Sequence, residues 1–171
     1  RGSKATLFEG GVRSPLVAWG PGVIGEGVKG AVNRTSVFAA FDLPPTLLEI
    51  AGVGADKMPD SDGEPLAGVL RGDSEASRSG PIFFRRPPDR DTIPFYGEEN
   101  LPDLAVRAGP WKLLCEYDGS GAKLYDVVAD PGESKDVAAA NSDVVQELTE
   151  AVKAWHASMP ADNGPRLAGR E

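Results

Sequence analysis

Leu104-Ala-Val-Arg107, Trp111-Lys-Leu-Leu-Cys-Glu116 and Lys123-Leu-Tyr-Asp-Val127 are three short apolar runs, separated by Ala108-Gly109-Pro110 and Asp118-Gly-Ser-Gly121. Runs of this length joined by Gly- and Pro-containing turns predict an antiparallel meander. Ile82-Phe83-Phe84 opens the same block upstream. Downstream, Val144, Leu148, Val152 and Trp155 fall on one stripe at helical spacing, with Val145 and Ala151 beside it. Asn141 or Ser142 suits the N-cap of that helix, and Pro160 ends it. A meander with one amphipathic helix covering a face makes a small α+β unit.

The chain before this block reads differently. Pro15-Leu-Val-Ala-Trp19 is an apolar run bounded by Pro and Gly, which predicts a buried strand in a layered sheet. Asp42 then stands as the N-cap of a helix with Pro44 and Pro45 in its first turn. Leu43, Leu47, Leu48, Ile50 and Ala51 would form its buried face, and Gly52 would end it in the left-handed conformation. Residues 56–80 are rich in Asp, Gly, Ser and Pro and read as a surface connection. The fold class expected is α/β, with residues 1–75 finishing a larger layered domain and 76–171 forming the α+β subdomain.

Composition narrows the partners. With 26 acidic and 18 basic side chains the net charge is -8, which disfavours nucleic acid. Arg85-Arg86 with Arg90 is the one dense basic stretch, and it reads as a solvated loop because no aromatic residues interleave it. No run approaches the ~18 apolar residues of a membrane span. The one cysteine, Cys115, lies in an apolar run and reads as a packing residue. The chain opens with Arg1, so its natural start is expected elsewhere.

The segment Arg1-Gly-Ser-Lys-Ala-Thr-Leu-Phe-Glu-Gly-Gly-Val-Arg13 carries the candidate chemistry. Lys4 and Arg13 bracket a Glu-Gly-Gly turn, and a lysine held where glycines let backbone approach a ligand suits an oxyanion. Glu9, between the two cations, could hold both in place. A charged surface loop beside a glycine turn explains the same residues equally well.

Arg1-Gly2-x-Lys4 followed by Glu9-Gly10-Gly11-Val12-Arg13-x-Pro15 resembles the second signature region of the sulfatases, in the alkaline-phosphatase-like superfamily. Trp19-Gly-Pro-Gly22, the Asp42–Gly52 helix, Asp62-Gly63 with Leu66 and Gly68, Leu124-Tyr-Asp126 and Asp130-Pro-Gly-Glu133 resemble further family elements in the family's order. Asn100–Arg107 and Trp155–Pro160 lean toward the arylsulfatase and N-acetylgalactosamine-6-sulfatase branch. The resemblance implies the C-terminal portion of a sulfate-ester hydrolase, acting on a small-molecule or glycan sulfate such as a sulfated sugar, in a periplasmic or secreted setting. It implies that Lys4 contacts the substrate sulfate while Glu9 and Arg13 support the loop. It also implies a formylglycine and a Ca2+ whose ligands lie upstream of residue 1, leaving no metal ligand in this chain.

The departures are equally specific. Cys115 is followed by Glu116-Tyr117-Asp118, not by the family's Cys-x-Pro-x-Arg modification motif, so this chain alone is expected to be inactive. His156 reads as a helix-end residue and Asp162-Asn163-Gly164 as a turn in a polar tail. Gly20-Pro-Gly22-Val-Ile-Gly25 matches a dinucleotide fingerprint only formally, because Glu26–Gly30 holds two more glycines where a helix must open. Asn33-Arg-Thr35 is a bare glycosylation sequon. Arg85, Arg86 and Tyr96 stand as candidate sugar contacts. A phosphodiesterase or phosphonate hydrolase of the same superfamily, or a non-catalytic binding module, remains as the alternative.

Overall fold

The structure is a computed structural model, and it describes residues 1–25, 28–86 and 101–160. The chain divides into two compact units, one of Arg1–Ser14 with Pro81–Glu171 and one of Pro15–Gly80.

The first unit is built on a four-stranded antiparallel sheet in the order β1-β2-β3-β4, with β1 Ile82–Arg85, β2 Leu104–Ala108, β3 Trp111–Cys115 and β4 Lys123–Asp126. This is the meander read from the turn spacing. Ala108 pairs with Trp111, leaving Gly109-Pro110 as a two-residue hairpin loop. Gly109 sits at φ 54, the positive angle such tight hairpins favour.

Strand alternation divides the side chains between two faces. Leu104, Val106, Leu113, Cys115 and Leu124 share one face with Leu148 and Val152 of the helix Ser142–Ser158. Trp155 of that helix stacks on Phe83 at 5.3 Å between ring centroids. Burying Leu148 and Val152 contributes about 1.5–3 kcal/mol each, so this stripe is the helix's main anchor. Asn141 occupies the N-cap, but its side-chain amide donates to the Val137 carbonyl instead of capping the helix.

Ala105, Leu114, Tyr125 and Val127 form the opposite face, covered by Leu7 and Phe8 from the start of the chain. A sheet packed on both sides explains why β2 and β3 read as unbroken apolar runs in place of an alternation. Lys112 is the exception in β3, with no side-chain exposure. Arg86, expected in a solvated loop, is pinned to Asp103 at 2.9 Å and donates to the carbonyls of Leu101 and Pro102. Arg90 lies outside the described residues.

In the second unit the helix Leu43–Ile50 forms as expected, with proline at its start and Gly52 just beyond its end at φ 81. Its buried face differs from the expected one. Leu47 is 55% exposed, while Asp42, Pro45 and Thr46 are buried. The helix is held by polar side chains along the stripe Asp42, Thr46 and Glu49, which accept hydrogen bonds from the backbone N–H groups of Glu64, Leu66 and Ala67. Saturated backbone donors of an irregular segment thus select the face that packs, ahead of the leucines.

Asp42 does not cap this helix through its side chain either, because its own backbone is already helical. Its carboxylate accepts from Ala39 N at 2.7 Å, Glu64 N at 2.9 Å and the Arg78 guanidinium at 2.7 Å. Arg78 also donates to the carbonyls of Gly80 and Asp62 and lies over the Phe41 ring. The 56–80 segment is therefore a structured connection, and it contains the short helix Ala67–Arg71.

The run Pro15–Trp19 is not a strand among the described residues. Leu16, Val17 and Trp19 are 52%, 87% and 86% exposed, and none pairs with the sheet. An apolar run becomes a strand only where a neighbouring strand completes its backbone hydrogen bonds, and no described segment does so here. Gly20–Ile24 closes as a turn, with Val23 N and Ile24 N both bonded to the Gly20 carbonyl.

Candidate functional site

The segment carrying Lys4, Glu9 and Arg13 folds against the sheet face opposite the long helix. Its local form follows from its small residues. The Thr6 hydroxyl donates to the Ser3 carbonyl at 2.8 Å and accepts from Ser3 N, and Thr6 N closes the same turn on Ser3 O at 3.0 Å. Ala5 completes the reversal at φ 71, a conformation unusual outside glycine. Glu9–Val12 then makes one helical turn whose Gly10 N donates back to Arg1 O at 2.9 Å. A Cβ on Gly11 would collide with the Thr6 and Ser3 carbonyls, and one on Gly10 with the carbonyls of Gly2 and Arg1. The two glycines are what allow the turn bearing Lys4 to lie flat on the helical turn bearing Glu9.

Lys4 itself is exposed and has no ion pair or hydrogen bond among the described residues. Glu9 therefore does not hold Lys4 directly, contrary to the simplest reading of its position between two cations. It is 8% exposed and faces the sheet. Lys112 Nζ donates to Glu9 Oε1 at 3.0 Å and pairs with Glu133 Oε1 at the same distance. Glu133 Oε2 accepts the backbone N–H of Glu9 at 2.7 Å. Arg13 and Arg107 each approach Glu9 Oε2 at 3.9 Å. Burial pushes the Arg107 guanidinium below its usual pKa, and the Glu9 charge opposes that effect.

Glu133 closes the Asp130-Pro-Gly-Glu133 turn at φ 52 and is fully buried. Its Oε1 has no well-angled hydrogen bond among the described residues, so the Lys112 ammonium is its electrostatic partner. Two buried carboxylates sharing one buried ammonium form a compact charge cluster, which is costly to desolvate and costly to break. Arg1 lies over the Phe8 ring at 4.5 Å, closing the segment from its other side. Burial also raises the Tyr125 pKa, with Arg1 working in the opposite direction.

Lys112, Glu133 and Arg107 were not among the site residues of the sequence reading. Two signals pointed toward them: a lysine inside an otherwise apolar strand, and the Asp130–Glu133 motif itself. Arg85 and Arg86 lie at the end of β1, and Tyr96 falls outside the described residues, as does Asp162–Gly164. His156 stacks on Tyr117 at 5.0 Å, and its Nδ1 is buried. Asn33 is exposed, its side-chain Oδ1 accepting from the Thr35 and Ser36 N–H groups in a local turn.

Among the described residues no group of three or more His, Cys, Asp or Glu side chains is placed to hold a metal. Cys115 is 1% exposed, and burial pushes its thiol up to about 11. Among the described residues there is thus no group of carboxylates of the kind a calcium ion needs, and Cys115 stands outside a Cys-x-Pro-x-Arg motif. The thiol is expected to resist a neutral-pH disulfide reagent while the sheet is folded and to react only on unfolding. Labelling that ran at the same rate with and without denaturant would refute this placement.

No family model matches the chain. Its sequence is nevertheless similar to sulfatases over most of its length. A sulfatase of Formosa agariphila is 30% identical over 165 residues, covering 89% of this chain and 28% of that protein. Mouse arylsulfatase K is 30% identical over 154 residues, covering 88% of this chain and 26% of that protein. A solved 2-O GAG sulfatase aligns with 68% of this chain and 24% of its own, at 25% identity and a TM-score of 0.46. The chain thus spans about a quarter of the length of the curated relatives it matches.

Proposed function

We propose that this chain, a C-terminal portion of a sulfatase by homology, presents Lys4 to the sulfate of a sulfate ester that the whole enzyme hydrolyses. What carries the reading is the form of the Arg1–Arg13 segment. An exposed lysine without a partner among the described residues stands on a tight turn, while the helical turn behind it is tied into the sheet. An ammonium carried on a held turn next to a transferring sulfuryl group stabilises developing negative charge with little reorganisation of the backbone. Glu9 and Arg13 then serve the loop and not the reaction. Calcium and formylglycine, where the whole enzyme uses them, would supply metal assistance and the nucleophile from outside the described residues. A periplasmic or secreted setting and a sulfated-sugar substrate are part of the same proposal.

The test is the Lys4→Ala variant of the full-length enzyme, assayed on aryl sulfate, sulfated-sugar and matched phosphate esters. A fall in kcat/KM of about 10²–10³-fold on sulfate esters is expected, the size of losing one oxyanion-stabilising donor. An unchanged rate would remove Lys4 from the site. Faster turnover of the phosphate esters would favour a phosphodiesterase or phosphonate hydrolase, and the spread between aryl and sugar sulfates would test the sugar reading.

A further inference from the structure

The geometry points to Lys112 and Glu133 as positioning residues that set the location of Lys4 through the Glu9 helical turn, an inference that rests on the reading of Lys4 above. A continuous set of short contacts links the two ends. Lys112 and Glu133 grip the side chain and the backbone N–H of Glu9 at 3.0 and 2.7 Å. Glu9 opens the helical turn whose Gly10 N–H holds the Arg1 carbonyl at 2.9 Å. Gly11 lies against the carbonyls of Ser3 and Thr6, the two residues that close the turn around Lys4.

Burial and hydrogen bonding hold each joint of this path in place. Lys112 has no side-chain exposure and sits within a central strand, so its ammonium cannot wander. Glu133 is fully buried in a turn at φ 52 and bonded through its N–H to Asp130 O at 3.0 Å. Neither residue reaches the exposed turn itself. A sheet lysine and a turn glutamate, 103 and 124 residues from Glu9 in sequence, thus determine where a loop cation stands. Displacement of a stabilising cation by an ångström is enough to lose most of its effect.

The test is a double-mutant cycle in the full-length enzyme between Lys4→Ala and the paired variant Lys112→Met/Glu133→Gln. The paired change removes one buried cation and one buried anion together, which proteins often tolerate. Alone, it is expected to lower kcat/KM on a sulfate ester at least tenfold while the enzyme stays fully folded at the assay temperature. Combined with Lys4→Ala, it is expected to add less than threefold, because the residue it positions is already gone. Faster amide exchange at Thr6, Gly10 and Gly11 should accompany the loss.

Losses that multiply in the combined variant would overturn the positioning role while leaving Lys4 as a sulfate contact. Full activity of Lys4→Ala would overturn both readings. Should the paired variant not fold, Gly11→Ala carries the same cycle, since it disturbs the contact between the two turns and leaves every charge in place. Multiplying losses there would equally refute the path.

Discussion

Lys112→Met is expected to lower the unfolding free energy of the sheet-containing unit by about 3–5 kcal/mol, against a much smaller loss for the paired change Lys112→Met/Glu133→Gln. The single substitution conserves shape in an apolar strand, so lost packing contributes little. What it removes is the counter-charge of two buried carboxylates. Glu9 and Glu133 are 8% and 0% exposed, and Lys112 sits 3.0 Å from both. Arg13 and Arg107 lie at 3.9 Å from Glu9, too far to replace the ammonium. Removing the second charge with the first leaves Glu9 with the same loss in both variants but spares Glu133 an unpaired anion. Urea unfolding followed by tryptophan fluorescence, with Trp111 and Trp155 as reporters within this unit, measures both variants. Equal losses in the single and paired variants would show that packing, and not charge, governs the site.

Arg78→Met is expected to cost a similar amount, about 3–5 kcal/mol, in the unit of residues 15–80. Asp42 has no exposed surface, and Arg78 is its charge partner at 2.7 Å, with a side chain only 6% exposed. The guanidinium also ties down the carbonyls of Gly80 and Asp62, so its loss frees three segments at once. Leu47→Ala, at 55% exposure on the same helix, should change stability by less than 1 kcal/mol. The contrast tests whether this unit is held by its polar network or by the leucine face. Hydrogen exchange at the amides of Ala39 and Glu64, which both donate to Asp42, reports on it directly. Unchanged protection in Arg78→Met would refute the network.

Glu64 adds a pH signature to that second unit. The Ser79 backbone N–H, against the opposing effect of burial, holds its carboxyl below the ordinary 4.5. The unfolded chain then binds the proton more readily than the folded one. The contribution of Glu64 is therefore complete above pH 4.5 and declines as the pH falls through the lowered folded value.

Much of this molecule was legible from local pattern. The Gly109-Pro110 hairpin, the strands around it and the stripe Val144, Leu148, Val152 and Trp155 depend on residues within a few positions of one another, and the structure keeps all of them. The glycines of the Glu-Gly-Gly turn read as room for backbone to approach a ligand, whereas the space they leave is taken by the carbonyls of Arg1, Gly2, Ser3 and Thr6. The readings that failed each needed a distant partner. Pro15–Trp19 has the composition of a buried strand, but strand formation needs a neighbour with open hydrogen bonds, which composition does not specify. Asp42 has the position of a helix cap, yet Arg78, 36 residues away, draws its carboxylate into another network.

The candidate site divides along the same line. Lys4, Glu9 and Arg13 could be selected from thirteen consecutive residues because their motif is contiguous. Lys112 and Glu133 could not, since a lysine in an apolar strand and a glutamate in a Pro-Gly turn have many local explanations. Only the tertiary fold brings them to Glu9, because a buried charge is tolerated where its counter-charge arrives, and that arrival depends on how β3 and the Asp130–Glu133 turn meet the start of the chain.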